Sequence, residues 1–373
     1  MSGTTLSEEG IWGDRFIVIA ALLLAALGLL SVFASTGIQS GIGGLRGQAQ
    51  GLVLAVIFCL ALAQVPTQLL LRFAVLLSVC ALVLFCLTLF TDLGVIKNGA
   101  RRSMRLGPTF LMPAEVAKPA LVLLAAKIFT EWGAWNRFQR FAHGGLVASV
   151  LLLMLVTKDL GTPLVIVFTL GVMWFLSGAK LRSIFTLLGL GFLAVVALIK
   201  VAPHRMRYVT AWLDPFCESV PSEGMRACLD ASAALRASFM AIADGGLSGL
   251  PLGAGQGPMH LLEGHNDFIG AVVAEQFGLL GFAMLATLFV VIIGRSLRLA
   301  HLAAAPDLAL VAVGCGVVIG LQGLIHLAVV SGTIPPKGLT LPLVSVGTSS
   351  LVATGILVGM LLSIGREQAR AQR

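Results

Sequence analysis

Long runs of hydrophobic residues recur along the whole chain, and short polar segments separate them. A helix of about 20 apolar residues crosses the roughly 30 Å hydrocarbon core of a bilayer. The pattern therefore predicts an all-α polytopic membrane protein, with ten transmembrane helices in a single domain over residues 1–373. The predicted spans are Phe16–Thr36, Gly47–Val65, Leu69–Phe90, Phe110–Phe129, Ala142–Val156, Thr162–Ser177, Ile184–Val201, Phe268–Ile293, Leu308–Ser331 and Ser345–Ile364.

Two breaks in the pattern organise the chain. The fifth and sixth spans are separated only by Thr157–Gly161, and Pro163 follows at a position that suits the first turn of a helix, so we expect a tight turn there. The polar segment 202–266 separates seven spans from three and is expected to form one long extramembrane loop. The first span exceeds a signal-peptide core and lacks a small-x-small cleavage site, so we expect it to stay as an anchor.

Composition agrees with this pattern. Hydrophobic residues make up 58% of the chain and charged residues only 11%, which is too little polar surface for a water-soluble globule of 373 residues. The basic excess, a net charge of +8, lies in the loops between spans. We therefore expect a membrane environment and no nucleic-acid partner.

The distribution of basic residues predicts the orientation. An even number of spans puts both termini on one side, and basic loops favour the cytoplasm. The C-terminal tail and the even-numbered loops are basic, which predicts a multi-pass protein of the cytoplasmic (inner) membrane with both termini cytoplasmic. These residues are Arg72, Arg137, Arg140, Lys180, Arg182, Arg295, Arg298, Arg366, Arg370 and Arg373.

The third loop, "KNGARRSMRLG", is predicted to be external and yet is strongly basic. Two interpretations are open: the other loops set the orientation and this one is tolerated, or its guanidinium groups form an anion site, since they bind phosphate through bidentate hydrogen bonds. Further cations are expected on the same face. The external set is Lys97, Arg101, Arg102, Arg105, Arg205, Arg207, Arg226, Arg236 and Lys337.

Polar residues within the spans are few. Glu115 and Lys118 lie one helical turn apart and are expected to pair, which lowers the cost of burying either charge. Asp159 is placed to cap the sixth span. Gln322 and His326 share a helix face and are expected to bind neighbouring helices rather than to perform chemistry.

The eighth span has a polar entrance, "EGHND". One interpretation is that Asn266 or Asp267 caps the helix. The other is that Asp267, at the external mouth beside basic loops, acts as a general base, because partial desolvation and nearby cations tune its proton affinity in opposite directions. Glu275, two turns deeper, is expected to be a buried polar contact.

Cysteines in the apolar spans are expected to be small core residues. Cys217 and Cys228 instead share the long external loop, where a disulfide can form in an oxidising compartment; bridged and free states are both open.

Seven segments, in order, resemble the SEDS family, the FtsW and RodA group: "NGARR", "RLGPTFLMPAEVAK", "KDLGT", "WLDPF", "AIADGGLSG", "HNDFIGAVVAEQFGLLG" and "PPKGLTLPLVSVGTSS". The resemblance implies a SEDS-type ten-helix bundle with a large external loop between helices 7 and 8. It implies a peptidoglycan glycosyltransferase that polymerises lipid II beside a class B penicillin-binding protein and other division or elongation proteins. "LTLPLVS" is more similar to the FtsW branch.

The resemblance also implies site residues. Asp267 matches the essential external aspartate, and we expect it to act as general base in an inverting transfer. Substrate binding is expected from Arg101, Arg102, Arg105, Lys118, Lys337, Arg205 and Arg207. Structural support is expected from Glu115, Asp159, Glu275, His265, Ser349 and Ser350. A divalent cation, Mg²⁺ or Mn²⁺, is a candidate cofactor at the pyrophosphate, although the sequence has no compact metal-ligand motif.

The motifs depart from the family at several places, such as Ser103 after "ARR", Lys158 in "KDLGT", and Val346 and Thr348 in "VGTSS". Two alternatives to the enzyme therefore stay open. One is a flippase or transporter of a lipid-linked precursor, because intramembrane charges also mark substrate paths. The other is a weakly active scaffold for a penicillin-binding protein.

Overall fold

The computed structural model describes residues 14–36, 43–97, 100–107, 109–157, 159, 161–180, 182–183, 186, 189, 191, 203–220, 222–251, 254–255 and 266–371. Its helices are α1 Arg15–Thr36, α2 Gly43–Gln64, α3 Thr67–Arg72, α4 Ala74–Phe90, α5 Pro113–Glu131, α6 Arg137–Val156, α7 Gly161–Leu176, α8 Pro203–Leu213, α9 Ser222–Gly245, α10 Ile269–His301, α11 Pro306–Val330 and α12 Thr348–Ala371. Its strands are β1 Gly94–Lys97, β2 Ala100–Leu106 and β3 Thr109–Leu111.

The helices agree with nine of the predicted spans. Six of them, α1, α2, α6, α10, α11 and α12, are long and apolar enough to cross a membrane, and α4 and α7 are shorter apolar helices. The third predicted span is divided at Phe73 into α3 and α4. The seventh, Ile184–Val201, falls largely outside the described residues, so the count of ten stays a prediction.

The basic third loop contains β-strands, which the hydrophobic pattern did not predict. It forms a three-stranded antiparallel sheet in the order β1-β2-β3, in which Gly94 pairs with Met104 and Met104 with Leu111. Its charges keep the segment out of hydrocarbon, and strand pairing satisfies the backbone there. Among the side chains of β2 that the structure describes, only Ala100 and Met104 are buried. This is too short an alternation for the sequence to reveal a strand.

Helices α11 and α12 lie at the centre of the bundle. Of the 18-residue apolar stretch of each helix, 78% is buried in α11 and 72% in α12, compared with 17% in α2 and 11% in α6. Small residues allow close packing. A Cβ built on Gly316 would overlap Ser296 of α10, and one built on Gly355 would overlap the backbone of Ala55 in α2. Gly316 and Gly355 therefore allow these helices to pack closely.

Helix α10 is broken near its start, where an unbroken helix was predicted. Gly278 has φ 65° and ψ −166°, a conformation that suits glycine. The backbone N–H groups of Leu279 and Leu280 donate to the carbonyl oxygens of Gly246 and Leu247, at 2.9 and 3.3 Å. The segment after α9 thereby takes over hydrogen bonds that a regular helix would make internally.

The polar connections meet at one end of the bundle, here called the sheet end because it carries the β-sheet. Ser349 at the start of α12 donates to the carbonyl of Phe110 in β3 (2.8 Å), Trp212 of α8 donates to the carbonyl of Gly332 (2.8 Å), and Ser238 of α9 donates to the carbonyl of Val330 (2.7 Å). The opposite end carries an ion pair between Asp14 and Arg295, at 2.6 Å.

Candidate active site

Asp267 lies at the sheet end, directly before α10. The N-cap position of α10 is occupied by Phe268, so the expectation that Asn266 or Asp267 caps this helix is wrong. The carboxylate of Asp267 is partly exposed and lies against the backbone of Gly338. A Cβ built on Gly338 would stand 2.7 Å from Oδ2 of Asp267. Only glycine leaves the carboxylate in this position.

Gly338 belongs to the connection between α11 and α12, residues 331–347, called the 331–347 loop below. His326 of α11 donates through Nδ1 to the carbonyl of Leu339, at 2.6 Å, and accepts through Nε2 from the backbone N–H of Gly270, at 3.3 Å. Ser345 accepts from the backbone N–H of Leu341 and donates to the carbonyl of Asn266, at 2.7 and 2.8 Å. The loop and the start of α10 are thus held together on both sides of Asp267.

A buried chain of polar groups supports this loop from inside the bundle. Nζ of Lys118 lies 2.7 Å from Oε2 of Glu115 and 2.7 Å from Oε1 of Gln322, and Lys118 and Glu115 are each 3% exposed. Nε2 of Gln322 donates to the carbonyl and the hydroxyl of Thr340, at 2.7 and 3.0 Å. The Thr340 hydroxyl in turn lies 2.8 Å from that of Ser350.

This chain, called the polar chain below, makes the predicted Glu115–Lys118 pair part of a larger assembly. Gln322 and His326 contact neighbouring helices as expected, through Lys118 of α5 and Gly270 of α10, and both also bind the 331–347 loop. The ammonium group of Lys118 points into the bundle, where Glu115 and Gln322 hold it. Its predicted contact with a substrate stays a prediction, and the geometry favours a supporting role.

Replacing Gln322 by leucine is expected to lower the free energy of unfolding by about 1–3 kcal/mol, because the buried Lys118 and Thr340 each lose a partner. The measurement is the temperature at which the purified protein in detergent ceases to be monodisperse. The matched control is Gln368→Leu, which removes a hydrogen bond to the Leu299 carbonyl at the opposite end. Equal thermal stability of Gln322→Leu and the unaltered protein would contradict the supporting role of the polar chain.

The three predicted arginines of the sheet have different surroundings. Nη1 of Arg101 donates to the carbonyls of Leu89 and Thr91, at 3.1 and 3.4 Å, so Arg101 secures the end of α4. Arg102 is exposed and its Nε donates to the carbonyl of Thr157 at 3.4 Å. Arg105 is exposed, beside the turn at Gly107. Arg102 and Arg105 therefore present charge to a ligand more readily than Arg101 does.

Asp159 caps α7, as the sequence suggested. Its Oδ1 accepts from the backbone N–H groups of Gly161 and Thr162, at 3.0 and 3.2 Å. A Cβ on Gly161 would overlap the side chain of Leu339. The start of α7, beside the Arg102 contact at Thr157, therefore packs against the same loop that carries Gly338.

Two serines at the start of α12 complete the frame. Ser349 accepts from the backbone N–H of Met112, at 3.1 Å, in addition to its bond to Phe110. Ser350 joins the polar chain through Thr340. Both serines thus connect α12 to the elements that surround Asp267. Lys337 is partly buried and directly precedes Gly338, so its backbone is adjacent to the carboxylate.

The long insert between the seventh and eighth predicted spans packs on the 331–347 loop through Trp212. A disulfide joins Cys217 to Cys228, with 6.1 Å between the Cα atoms. Asp214, in "WLDPF", accepts hydrogen bonds from the Ser219 hydroxyl and from backbone N–H groups, which hold the pKa of its carboxyl below the usual range. The side chains of Arg205 and Arg207, and His265, lie outside the described residues.

Glu275 is fully buried on the first part of α10. A Cβ built on Gly255 would overlap its carboxylate, and its backbone carbonyl accepts from the N–H of Leu250, at 2.9 Å. Glu275 therefore faces the end of the insert rather than Asp267. In residues with described placement, no three His, Cys, Asp or Glu side chains converge as ligands for a metal ion.

At the sheet end, the partly exposed carboxylate of Asp267 lies against the 331–347 loop, and the exposed guanidinium groups of Arg102 and Arg105 lie on the adjoining sheet. Such a carboxylate can accept a proton, and such guanidinium groups can bind an anion.

The family model for the FtsW/RodA/SpoVE group, described as a cell cycle protein, matches residues 14–370. The chain belongs to the FtsW/RodA/SpoVE family. With its long apolar helices, it is an integral membrane protein.

Relatives across the family agree. Stage V sporulation protein E of Bacillus subtilis is 32% identical over 368 residues, covering 95% of this chain and 97% of the relative. A probable peptidoglycan glycosyltransferase FtsW of Thioalkalivibrio sulfidiphilus is 36% identical, covering 95% and 90%.

Solved structures carry the same fold. A chain of a peptidoglycan synthase complex, described as coordinating polymerization and crosslinking, superposes with a TM-score of 0.76 at 27% identity, covering 96% of this chain and 98% of that chain. Rod shape determining protein RodA of Thermus thermophilus superposes with a TM-score of 0.68 at 26% identity, with the same coverage. The SEDS-type membrane bundle expected from the sequence is confirmed.

Proposed function

We propose that this FtsW/RodA/SpoVE chain is a peptidoglycan glycosyltransferase that polymerises lipid II during cell division or growth. The observation that carries the proposal is the partly exposed Asp267 carboxylate, held between Gly338 and the start of α10 at the polar end of a membrane bundle. Relatives named as probable peptidoglycan glycosyltransferases, aligned over most of their length, supply the reaction class.

In the proposed reaction, a hydroxyl of one disaccharide loses its proton to Asp267 as its oxygen attacks the anomeric carbon of another. The bond from that carbon to the lipid pyrophosphate breaks, and its electron pair leaves with the pyrophosphate. Arg102, Arg105 and Lys337 supply positive charge for the leaving group, where fixed donors act most strongly as charge develops. One displacement without a covalent intermediate inverts the anomeric centre.

The surroundings of the site give the other residues their proposed roles. The polar chain from Glu115 to Ser350 keeps the 331–347 loop in place, and Asp159 and Ser349 secure the start of α7 and of α12. Arg205 and Arg207 are proposed to extend the anion site from the insert. A divalent cation, Mg²⁺ or Mn²⁺, is proposed to accompany the pyrophosphate. We assign no step to it.

The sheet end is proposed to face away from the cytoplasm. Arg295, Arg298, Arg366 and Arg370 of the opposite end support a cytoplasmic location for both termini under the positive-inside rule. The chain would then work at the outer face of the cytoplasmic membrane. The likeness to a chain of a peptidoglycan synthase complex supports a class B penicillin-binding protein as partner, alongside other division or elongation proteins.

The deciding experiment reconstitutes the purified protein with its penicillin-binding partner and supplies lipid II. Glycan strands made while the partner's own active site is blocked are the expected result. Transbilayer movement of lipid II without strands would instead support a transporter. Absence of both, with crosslinking by the partner still stimulated, would support a scaffold. Lys118 is buried and is bound by Glu115 and Gln322, which disfavours a substrate path through the bundle at that depth.

Gly338→Ala is expected to lower polymerisation roughly ten- to a hundredfold, because the new Cβ displaces the Asp267 carboxylate and small misplacements of a catalytic group are costly. Strand synthesis per molecule of folded protein is the measurement. Gly347→Ala is the matched control, since a Cβ there meets only Ser350, at 3.8 Å. Normal synthesis by Gly338→Ala would show that the contact between this loop and Asp267 is unimportant.

A further inference from the structure

A second group of unusual side chains lies at the opposite end, where α5 turns into α6. The turn and the first residues of α6 read "WGAWNRFQRFAHGG" from Trp132 to Gly145. Helix α6 begins at Arg137, five residues before the apolar span predicted from the sequence. Its first turn and a half therefore lies at the boundary between the polar surface and the apolar part of the helix.

This first part of α6 is rigidly built. Asn136 and Gln139 form a reciprocal capping box, with hydrogen bonds of 2.8 and 3.0 Å. His143 stacks on Trp135, with 4.2 Å between ring centroids, and donates through Nδ1 to the carbonyl of Gln139. The cations that follow are therefore displayed on a fixed helix rather than on a loose end.

Two arginines lie on one face of this helix. Arg140 stands over the ring of Trp132, with Cζ 5.3 Å from its centroid, and its buried Nε has no hydrogen-bond partner among the described residues. At 100° per residue, Arg137 and Arg140 are about 60° apart, close enough to share one anion. Glu131, the one acidic residue between Val116 and Lys158, accepts a hydrogen bond from Trp135 at 3.0 Å.

The next two turns of the same face carry small residues. Gly144 and Ala148 follow the arginines on successive turns, and both are exposed. A Cβ built on Gly144 would meet nothing within 4 Å. Phe138 and Phe141, each 80% exposed, flank this face at the boundary. The helix face beside the two guanidinium groups is thus apolar and open, and it is called the small-residue face below.

We propose that this face binds an anionic glycerophospholipid, with its phosphate between Arg137 and Arg140 and an acyl chain along Gly144 and Ala148. Guanidinium groups bind phosphate oxygens through paired, charge-assisted hydrogen bonds. Aromatic side chains at the level of the headgroups are typical of such boundaries. The ligand must be amphiphilic, since the cations directly adjoin the apolar small-residue face. The site is independent of the one at Asp267.

The test measures lipid retained by the purified, detergent-solubilised protein in native mass spectrometry, after addition of phosphatidylglycerol or of phosphatidylcholine with the same acyl chains. The unaltered protein is expected to retain phosphatidylglycerol preferentially. The double variant Arg137→Gln, Arg140→Gln should lose roughly ten- to thirtyfold in affinity for it, given about 1 kcal/mol per basic residue near an anionic surface. The variant Gly144→Leu, Ala148→Leu should also weaken retention, with no change in charge.

The matched control is Arg72→Gln, Arg298→Gln, which removes two exposed arginines from other helices and is expected to keep full retention. If both double arginine variants lost phosphatidylglycerol equally, net charge alone would explain the binding and the proposed site would be wrong. Equal retention of the two lipids by the unaltered protein would also overturn it. Glycerol phosphate that competes as well as phosphatidylglycerol would show that the small-residue face binds no acyl chain, which contradicts the proposal.

Discussion

Asp267→Asn is expected to lower lipid II polymerisation by about a hundredfold or more, since a positioned general base contributes roughly 10²–10⁴ to a rate. Asparagine has nearly the same shape as aspartate, so the contact with Gly338 and the start of α10 should persist. It cannot accept the proton of the attacking hydroxyl. The measurement is glycan strand synthesis with purified protein, its penicillin-binding partner and lipid II.

Two controls make this result specific. Asp230→Asn removes an exposed carboxylate from α9 and should leave synthesis unchanged. The Asp267→Asn protein should also match the unaltered protein in monodispersity and thermal stability. Strand synthesis at the normal rate by a folded Asp267→Asn protein would refute the assignment of the base while leaving the proposed reaction open.

Arg102→Ala is the second variant with a large expected effect, a loss of roughly 10²–10³ in turnover. Arg102 is the exposed arginine whose guanidinium group also contacts the Thr157 carbonyl, next to the start of α7 that packs on the 331–347 loop. It is therefore the sheet cation best placed to join a leaving pyrophosphate to the frame around Asp267. Turnover at saturating lipid II, measured beside monodispersity, separates lost chemistry from lost folding.

The companion variants separate charge from geometry. Arg102→Lys keeps the positive charge but loses the fork of donors that fits phosphate oxygens, so it should recover only part of the activity. Arg298→Ala, an exposed arginine at the opposite end, should behave as the unaltered protein does. Full activity of Arg102→Ala would contradict a pyrophosphate contact at this residue.

Much of the fold could be predicted from hydrophobic runs alone, because a bilayer demands long apolar helices and the sequence contains them. The Glu115–Lys118 pair was predictable for a related reason, since a charge within a bilayer needs a partner and these two residues lie one helical turn apart. The small sheet was not predictable, because its longest strand has seven residues, of whose described side chains two are buried, and this leaves almost no periodic signal. The break at Gly278 was hidden inside a continuous apolar run.

The candidate site shows the same division. Asp267 stood out as a carboxylate at the mouth of an apolar helix, yet the sequence alone left capping as an equal explanation. The structure rejects capping because Phe268 takes the N-cap position. The contact that positions Asp267 comes from Gly338, more than 70 residues further along the chain, and no local pattern reports such a contact. The polar chain from Lys118 through Gln322 to Thr340 joins three separate segments, so its members were visible as isolated polar residues and its continuity was not.

The break in α10 has a mechanical consequence. Asp267 is joined to only nine helical residues before Gly278, and the backbone there is bonded to the segment after α9. Asp267 is therefore positioned from two sides, by the 331–347 loop and, through nine helical residues, by the segment after α9. A displacement of that segment would be transmitted to Asp267 through those nine residues, whereas the remainder of α10 lies beyond the break.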